Sequence, residues 1–506
     1  MKSSDPVDVL VIGGGPAGAT VAAEAARAGA SVIVAEKRTG DSPSRAGVIQ
    51  PRVLELLDAR GLMGRFRAAA AEWRPDFEVP IYMYAGLGGL RYDQLDSDFP
   101  YALILPQTTT EHLLRAWAVE SGAEVRRGVR YAGHRAQGDL TAVDLVDEAG
   151  VTVTVETRYL VGADGARSHV RATAGIPFEG REITMTAMSV DADLSFPWAA
   201  SMQMKRNEAG WILTYPFGVN TTRFIIVAEA SRNVPTSVPV TEDEVRESLV
   251  AIFGSDLGFT TAHRMSRYGD AHKMVPRFRE GNVFLVGEAT RVHYPASGIG
   301  MNYCIQDAFN LGWKLGAVAV GAAPDSLLDT YQTERFPVLQ KLMDDVDTQT
   351  SLHFDFSEGG LKLKDFLEQE IVPIPEVNAV LRDRLSGFGT RYPVVDGDHP
   401  AVGSRVGQIV LSGGGAYTQV AAESDFVFVE APDSAVPRDL PSAFGYGTST
   451  DLEGALGHAD VVAALIRPDA YVAQAWTSAP TDAEIRTARE RALGSSSAAV
   501  ALEGAR

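Results

Sequence analysis

The amino-acid sequence predicts an α/β fold in which a helix-covered parallel sheet is interrupted by a mostly antiparallel sheet and followed by a smaller α/β unit. Three observations predict this arrangement. The first residues read as strand, helix and strand, whereas several short runs in residues 170–280 alternate between apolar and polar side chains. The chain after residue 399 has strands and a final helix of its own.

The N-terminal unit begins with an apolar run, residues 7–12, that is interrupted only by Asp8 and ends in a glycine cluster. Such a run is typical of a strand covered on both faces. Residues 16–28 are rich in small side chains and predict a helix, and SVIVAE at 31–36 predicts a second strand. Together they predict a βαβ unit.

The turn between that strand and helix, Gly13-Gly14-Gly15-Pro16-Ala17-Gly18, fits the pattern GxGxxG. The first glycine of this pattern permits a tight turn, the second lets the backbone approach a pyrophosphate, and the third lets helix and strand pack closely. Phosphates then bind at the helix N-terminus. Glu36 ends the second strand, where a carboxylate can accept hydrogen bonds from an adenosine ribose. The motif predicts a dinucleotide site and leaves FAD and NAD both open.

Two later segments repeat the order of strand, turn and helix. RYLVGADGARSHVR at 158–171 and NVFLVGEATRVHYPASGIGMN at 282–302 both place an acid and a glycine directly after a strand. If the three strands are parallel in one sheet, their carboxyl ends lie at one rim, which is where open α/β sheets bind ligands. We therefore expect the turns at Gly13, Asp164 and Glu288 to meet.

Alternating segments at 184–194, 211–218 and 222–230 predict the antiparallel sheet in the middle of the chain. Residues 307–320 and 326–348 read as helical, and residues 353–400, broken by Pro373, Pro375 and Gly387, read as a connector. The tail has predicted strands at 408–412, 425–431 and 461–476 and a helix at 481–493, and the glycine run at 412–417 is interpreted as a turn.

The composition excludes several classes of protein. A chain of 506 residues with 45% hydrophobic content can form two to four domains. Its net charge of -19 argues against a nucleic-acid partner, which requires a basic face. A single cysteine, Cys304, permits no disulfide framework within the chain and favours a reducing cytoplasm. We expect no signal peptide and no membrane span, because the longest apolar runs are far shorter than about 20 residues.

These motifs together resemble those of the FAD-dependent aromatic hydroxylases, the single-component class A flavoprotein monooxygenases, and most closely those that tailor bacterial aromatic polyketides. The resemblance covers nearly the whole chain. It rests on GGGPAG with Glu36, SRAGVIQPRVLELLDARG (44–61), PQTTTEHLLRAWA (106–118), GADGARSHVR (162–171) and GEATRVHYPASGIGMNYCIQDAFNLGWKL (287–315).

The resemblance implies one FAD stretched along the rim and NADPH or NADH as a transient reductant. The residues implied to bind the cofactors are Gly13, Gly15, Pro16, Ala17, Gly18, Glu36, Lys37, Arg45, Gln107, Arg115, Asp164, Gly165, Gly287, Glu288, Pro295, Gly298, Gly300, Met301 and Asn302. Of these, Arg45, Pro295 and Gly298 are implied to take part in catalysis beside the flavin ring. Glu288 stands where the family has an aspartate that binds the ribityl chain.

The resemblance also implies three domains. Residues 1–175 and 270–395 would form the Rossmann-like FAD-binding domain with its helical connector, and residues 176–269 the inserted β-sheet domain that binds substrate. Residues 396–506 would form a thioredoxin-like domain. Because this last part has no cysteine, thiol exchange is excluded and a role in packing or oligomerisation remains, with monomer and homodimer both open.

The implied activity is hydroxylation of a polycyclic aromatic polyketide by dioxygen through a flavin C4a-hydroperoxide. Candidate substrate-binding residues are Trp211, Tyr215, Phe217, Phe224, His293 and Tyr294, although the aromatic ones fit core packing equally well. No metal-ligand spacing and no substrate base stand out. Alternatives are a Baeyer-Villiger-type or ring-opening oxygenation, a flavin reductase or oxidase that makes no oxygenated product, and a flavin-holding protein without activity. The WxWxIP segment of flavin halogenases is absent.

The sequence departs from the family pattern around the implied flavin. Glu288 and Ser297 replace Asp and Gly, and Cys304 replaces a second Gly. Cys304 could be a covalent flavin link or redox thiol, but a small buried thiol is the commoner case. Arg291 could pair with a flavin phosphate or be a solvated or ion-paired arginine. His293 is either structural or in contact with substrate or flavin.

Overall fold

The computed structural model describes residues 6–41, 46–73, 76–196, 202–218, 220–434, 438–441 and 444–494. Within these ranges the α-helices, named α1 to α13 in chain order, are Pro16–Arg27, Pro51–Asp58, Met63–Trp73, Gln107–Glu120, His169–Thr173, Glu242–Phe253, Gly300–Ala319, Asp329–His353, Glu358–Phe366, Pro375–Ser386, Tyr417–Ala421, Leu452–Leu456 and Asp482–Ala492.

The strands, named β1 to β25 in chain order, are Val7–Ile12, Val32–Glu36, Val48–Ile49, Glu78–Val79, Ile81–Tyr84, Leu87–Arg91, Ala102–Ile104, Glu124–Arg127, Arg130–Gln137, Leu140–Val146, Thr152–Gly162, Glu179–Arg181, Thr186–Leu194, Gln203–Asn207, Gly210–Pro216, Thr221–Ala228, Phe259–Gly269, His272–Met274, Arg279–Glu280, Val283–Leu285, Arg291–Val292, Phe426–Glu430, Phe444–Thr448, Ala463–Ile466 and Val472–Trp476.

The largest sheet contains the three strands whose ends were expected to meet. Its order is β19-β20-β11-β1-β2-β8, with β10 and β9 continuing from β11. The pairs β20–β11, β11–β1, β1–β2 and β2–β8 are parallel, and Ile12 lies opposite Gly162, which lies opposite Leu285. The carboxyl ends of β1, β11 and β20 therefore lie at one rim, which confirms the prediction.

Helix α1 packs against α7 through small residues on both helices. A side-chain carbon built at Gly312 would lie 2.6 Å from the Glu24 Cβ, and one at Gly316 would lie 2.6 Å from the Ala28 Cβ. Only glycine allows this approach without displacing a backbone. The alanine-rich sequence of α1, which was predicted as a helix, therefore serves a close crossing of two helices.

The middle sheet has the order β14-β15-β16-β13-β17 and is antiparallel throughout. On one face Ile212, Phe224 and Ile226 belong to the apolar cluster that includes residues of α6. On the other face Trp211 and Tyr215 belong to the main core. The predicted antiparallel sheet is thus present, and its two faces have different partners.

The C-terminal sheet has the order β23-β22-β24-β25, in which β22 and β23 are parallel and the other pairs are antiparallel. The strand predicted at 408–412 is wrong, since Val410 makes only one isolated bridge, to Ala416. The glycine turn that follows reverses the chain before a ladder can form. Strand β23 was not predicted from the sequence because it contains two glycines. These residues, Gly445 and Gly447, allow close contact with Val420 and Leu411.

The turn between β24 and β25, residues 467–471, docks onto α2 and the chain around it. Arg52 donates to the backbone oxygens of Asp469 and Ala470 at 3.1 and 2.8 Å. Arg60 donates to the backbone oxygen of Pro468 and to the Glu24 carboxylate. Both arginines are buried, so these carbonyls satisfy donors that water cannot reach.

Among the described residues, none of the helices combines the length and the apolar character that crossing a bilayer requires.

Candidate active site

The first turn of the rim follows β1. The Gly13 N–H donates to Ala35 O at 2.9 Å, and Ala163 N–H donates to Ile12 O at 2.8 Å, which joins the turn to both neighbouring strands. Gly13 has φ of +107°, and a side-chain carbon there would lie 2.4 Å from Ala163 O. A carbon at Gly18 would lie 1.9 Å from Gly13 O. The first and third glycines are therefore required by the fold itself.

The middle glycine of the motif has a different environment. A side-chain carbon at Gly15 would meet no atom within 4 Å, and Gly15 directly precedes α1, whose first-turn N–H groups have no partner within the helix. Glu36, which is buried, accepts hydrogen bonds from Gly14 N–H at 2.8 Å and Arg38 N–H at 2.9 Å. The space beside Gly15 and this fixed carboxylate fit a pyrophosphate and a ribose.

Two predicted polar residues of α4 lie beside the first turn. Arg115 donates to Gly14 O at 3.1 Å and pairs with Glu111 at 3.3 Å. Gln107 accepts from Ala46 N–H at 3.0 Å and donates to Glu111 at 2.7 Å. Lys37 is exposed next to Glu36. Arg45 lies outside the described residues.

The second turn of the rim is organised by Asp164. Its carboxylate accepts hydrogen bonds from His169 N–H at 2.7 Å and Val170 N–H at 3.2 Å, so it caps the short helix α5. Gly165 has φ of +82°, and a side-chain carbon there would lie 3.9 Å from Glu288 Oε2. Asp164 thus has a structural role that the sequence did not predict, and Gly165 brings the second turn against the third.

The third turn of the rim begins at Gly287 and Glu288. Gly287 has φ of +64°, and a carbon there would lie 3.0 Å from the Ala17 Cβ at the start of α1. Ala17 also lies in the first turn, so the three turns meet as expected. The Glu288 side chain is exposed at this junction, where its carboxylate can accept hydrogen bonds from hydroxyl groups.

The third turn continues through the segment Tyr294–Asn302, whose last three residues are the start of α7 at Gly300. Ser297 adopts the left-handed conformation with φ of 47° and ψ of 23°, and Gly298 follows with φ of +67°. Pro295 is exposed and Met301 half-buried. The Asn302 side chain is buried, accepts from Gln50 N–H at 2.7 Å and donates to Val48 O at 3.1 Å. Asn302 therefore attaches α7 to β3 and the residue after it.

The open question about Arg291 is settled by geometry. Arg291 is buried and pairs with Asp307 at 2.7 Å, and Arg335 pairs with the other oxygen of the same carboxylate at 2.7 Å. Cys304 lies beside this group, 3.8 Å from the Arg291 guanidinium. Burial raises the pKa of the Cys304 thiol to about 12, so the thiolate needed for redox or covalent chemistry does not form near neutral pH. Both residues belong to the core behind the third turn.

The aromatic residues predicted to bind substrate separate into two groups. Trp211, Tyr215 and Phe217 lie in the main core beneath the rim, and a carbon at Gly47 would lie 2.7 Å from the Phe217 ring. Phe224 is fully buried in the cluster on the opposite face of the sheet, with α6. Its assignment to the substrate site is corrected, because successive side chains of a strand point to opposite faces.

His293 and Tyr294 belong to the third turn. His293 is half-buried and within hydrogen-bond distance of Tyr294 O at 2.7 Å, and burial lowers its pKa to about 4. The Tyr294 hydroxyl contacts Nδ1 of His353 at 3.2 Å. His353 stands edge-on to Trp211 at 4.3 Å between ring centroids, and burial lowers its pKa to about 3. His353 was not predicted from the sequence, because it lies at the last position of a long helix with no local motif.

A separate group, His399, His458 and Asp460, could offer metal ligands. Nδ1 of His399 accepts a hydrogen bond from Ala401 N–H at 3.1 Å, which leaves the proton of the neutral ring on Nε2, 3.2 Å from Asp460. A metal ligand of this kind normally donates from its second nitrogen instead. The group is better described as a hydrogen-bonded histidine and carboxylate.

Comparisons with known proteins agree with the geometry of the rim. A family model described as an FAD binding domain matches residues 6–346. A Bacillus subtilis (strain 168) protein described as an uncharacterized aromatic compound monooxygenase is 34% identical over 494 residues, covering 94% of this chain and 96% of that protein. A Streptomyces rimosus 12-dehydrotetracycline 5-monooxygenase/anhydrotetracycline 6-monooxygenase is also 34% identical over 494 residues, covering 94% of this chain and 95% of that enzyme.

Among solved structures, the OxyS anhydrotetracycline hydroxylase from Streptomyces rimosus superimposes with a TM-score of 0.81 at 32% sequence identity. The match covers 96% of this chain and 99% of the OxyS chain. The mixed α/β fold is therefore that of FAD-binding hydroxylases over nearly its full length.

Proposed function

The chain belongs to the FAD-binding-domain family of flavin-dependent monooxygenases, and from this premise we propose that it hydroxylates a polycyclic aromatic polyketide, using NADPH or NADH as reductant. One observation carries the proposal. The three turns after β1, β11 and β20 meet at one rim, with an open helix N-terminus at Gly15 and an exposed carboxylate at Glu288. These features suit an extended ligand with phosphates at one end and hydroxyl groups in its middle.

In this proposal the first turn and α1 bind the FAD pyrophosphate, and Glu36 orients the adenosine ribose. Arg115, already fixed against Gly14 O, would bring positive charge to the phosphate region, with Gln107 nearby. Glu288 would accept hydrogen bonds from the ribityl chain. The segment from Pro295 to Asn302 would border the ring, where the N-terminal end of α7 favours developing negative charge.

Bound FAD would supply the reductive activation of dioxygen, and the protein would supply position and exclusion of water. The buried face with Trp211, Tyr215 and Phe217 supports a dry environment on the substrate side. Because burial holds the pKa values of His293 at about 4 and His353 at about 3, both rings are neutral near pH 7. A neutral imidazole can accept a hydrogen bond from a phenol, but a ring with so low a pKa is a weak proton acceptor, so neither histidine is assigned as a substrate base.

The proposed division of the chain keeps residues 1–175 and 270–395 for FAD, 176–269 for substrate and 396–506 for a thioredoxin-like domain. The parallel pair β22–β23 followed by the antiparallel strands β24 and β25 and helix α13 supports the last assignment. Since this region contains no cysteine, its proposed role is packing against α2, as the contacts of Arg52 and Arg60 indicate.

The decisive experiment measures FAD content, NADPH oxidation and oxygen incorporation in the purified protein. We expect one FAD per chain, NADPH oxidation that is stimulated by some members of a panel of polycyclic phenols and quinones, and one atom of oxygen-18 from labelled dioxygen in the product. Oxygen inserted between two ring carbons would favour the Baeyer-Villiger-type alternative. Stimulated NADPH oxidation with unlabelled product would indicate a reductase or oxidase, and a colourless protein that takes up no FAD would refute the proposal.

A matched pair of variants tests the FAD site itself. Gly15→Val fills the open space before α1, whereas Gly133→Val adds the same side chain at an equally open position on β9, away from the rim. We expect both ligand-free proteins to melt at similar temperatures and only Gly15→Val to lose affinity for FAD. Equal FAD affinity in the two variants would contradict the proposed position of the pyrophosphate.

A further inference from the structure

Ser297 has an unusual backbone for its side chain. It is a buried serine with φ of 47°, in the left-handed region that costs a non-glycine residue of order 1 kcal/mol or more. Ala85, in the turn between β5 and β6, is also left-handed with φ of 51°. Such conformations persist only where surrounding contacts impose them.

The two backbone bonds that span Ser297 are long. Gly298 N–H reaches Pro295 O at 3.3 Å, and Ile299 N–H reaches Ala296 O at 3.4 Å. The shorter bonds come from other elements. Ser297 Oγ donates to Gln349 Oε1 of α8 at 2.7 Å and accepts from Ala85 N–H at 3.2 Å, and Tyr82 Oη donates to Ser297 O at 3.1 Å.

Asp345 determines the direction of the bond between Ser297 and Gln349. Gln349 Nε2 donates to Asp345 Oδ2 at 2.8 Å, and an ionised carboxylate can only accept. The amide oxygen of Gln349 must therefore face Ser297, which donates to it and uses a lone pair for Ala85. Asp345 is held in turn by the Tyr84 hydroxyl at 2.8 Å and the Arg384 guanidinium at 3.2 Å.

From these contacts we propose that Gln349, oriented by Asp345, is a positioning residue that fixes the Ser297 turn, and with it the start of α7, against the isoalloxazine ring of FAD. This inference rests on the proposed function, because that function places the ring beside Gly298 and Gly300. Gln349 touches neither cofactor nor substrate and acts through Ser297. The turn cannot leave the left-handed conformation without breaking the Ser297–Gln349 bond.

The test compares Ser297→Ala, Gln349→Met and the double variant as purified proteins. We expect each single variant to raise the FAD dissociation constant by up to about tenfold, because FAD must then order a turn that the lost hydrogen bond no longer holds in place. The double variant is expected to bind FAD no more weakly than the single variants, since all three lose the hydrogen bond between Ser297 and Gln349. The visible absorption band of bound FAD, which reports the surroundings of the ring, should shift equally in all three.

Two controls separate positioning from simple stability. Gln340→Met makes the same substitution at an exposed site on the same helix and should leave FAD affinity and spectrum unchanged. Ser297→Gly removes the hydroxyl but tolerates the left-handed backbone, so its ligand-free melting temperature should stay near that of the wild type while FAD affinity falls. It also provides a folded variant if Ser297→Ala does not fold.

The outcomes that would overturn the inference are distinct from failure of the proposed function. Ser297→Gly with wild-type affinity and spectrum, or a double variant in which the two losses multiply, would show that Gln349 does not act through Ser297. Lower melting temperatures with an unchanged flavin spectrum would show a structural role only. If the wild-type protein itself binds no FAD, the proposed function fails before the variants are compared.

Discussion

The first and third turns of the rim lie next to each other, but different kinds of contact hold them in place. The Gly13–Gly18 turn is shaped by its own glycines, by Glu36 and by the adjacent strand end at Ala163. The Tyr294–Asn302 segment is held by side chains of β5 and α8 and by backbone groups of Val48 and Gln50, which lie between 52 and 254 residues away in the chain. The first turn therefore depends mainly on its own glycines and on the ends of the strands beside it. The third turn depends on contacts from distant parts of the chain.

The largest expected effect concerns the support of the third turn. Asp307→Asn leaves Arg291 and Arg335 buried without their shared carboxylate, which should lower the free energy of unfolding by about 3–5 kcal/mol. Glu120→Gln, which breaks the exposed pair with Arg65, should cost less than about 1 kcal/mol. Chemical denaturation measures both. Similar losses of unfolding free energy in the two variants would mean that the charges behind the third turn contribute little to stability.

The corresponding test of the first turn is Gly18→Ala. The added carbon would lie 1.9 Å from Gly13 O, so α1 and β1 must separate, at a cost of about 3 kcal/mol. Gly133→Ala adds the same carbon in open space and serves as the control. Thermal unfolding of ligand-free protein gives the comparison. A stable Gly18→Ala variant would show that the first turn adapts more readily than its geometry indicates.

The pH dependence of stability tests the packing around His353. Burial lowers the pKa of His353 from 6.5 to about 3, with a further lowering from Lys364, so between these values the unfolded chain binds a proton that the folded chain excludes. Stability must therefore fall as the pH decreases below 6.5, by about 1.4 kcal/mol per pH unit for this group. Chemical denaturation at several pH values should give a smaller slope for His353→Gln than for the wild type between pH 6.5 and 5. An unchanged slope would contradict the buried neutral ring.

The smallest effect is expected at Cys304. Cys304→Ala removes a buried sulfur and should lower the free energy of unfolding by about 1 kcal/mol, while FAD remains noncovalently bound. The native thiol should resist alkylation until the protein is unfolded, because its pKa is raised to about 12. Rapid labelling of the folded protein would support a redox thiol at Cys304. Flavin that stays attached after denaturation would support a covalent link.

The contrast between the turns also explains what could be predicted from the sequence. Strand β1 and the meeting of three turns follow from local patterns, since residues 9–12 are apolar throughout and a glycine lies at or just after the end of each of the three strands. The capping role of Asp164 depends on the path of the chain over residues 164–170, whereas the shared carboxylate of Arg291 and Arg335 and the position of His353 depend on residues farther along the chain. Period-two alternation predicted the middle sheet but not which face Phe224 occupies, because that depends on where α6 packs.

The docking of residues 467–471 against α2 has a consequence for how the chain is made. Arg52 and Arg60 leave the ribosome well before residues 467–471, because the carbonyl oxygens that receive them are synthesised more than 400 residues later. Until then, Arg52 in α2 and Arg60 just after it lack these backbone acceptors. The nascent chain therefore completes the packing around α2 only after residues 467–471 have emerged.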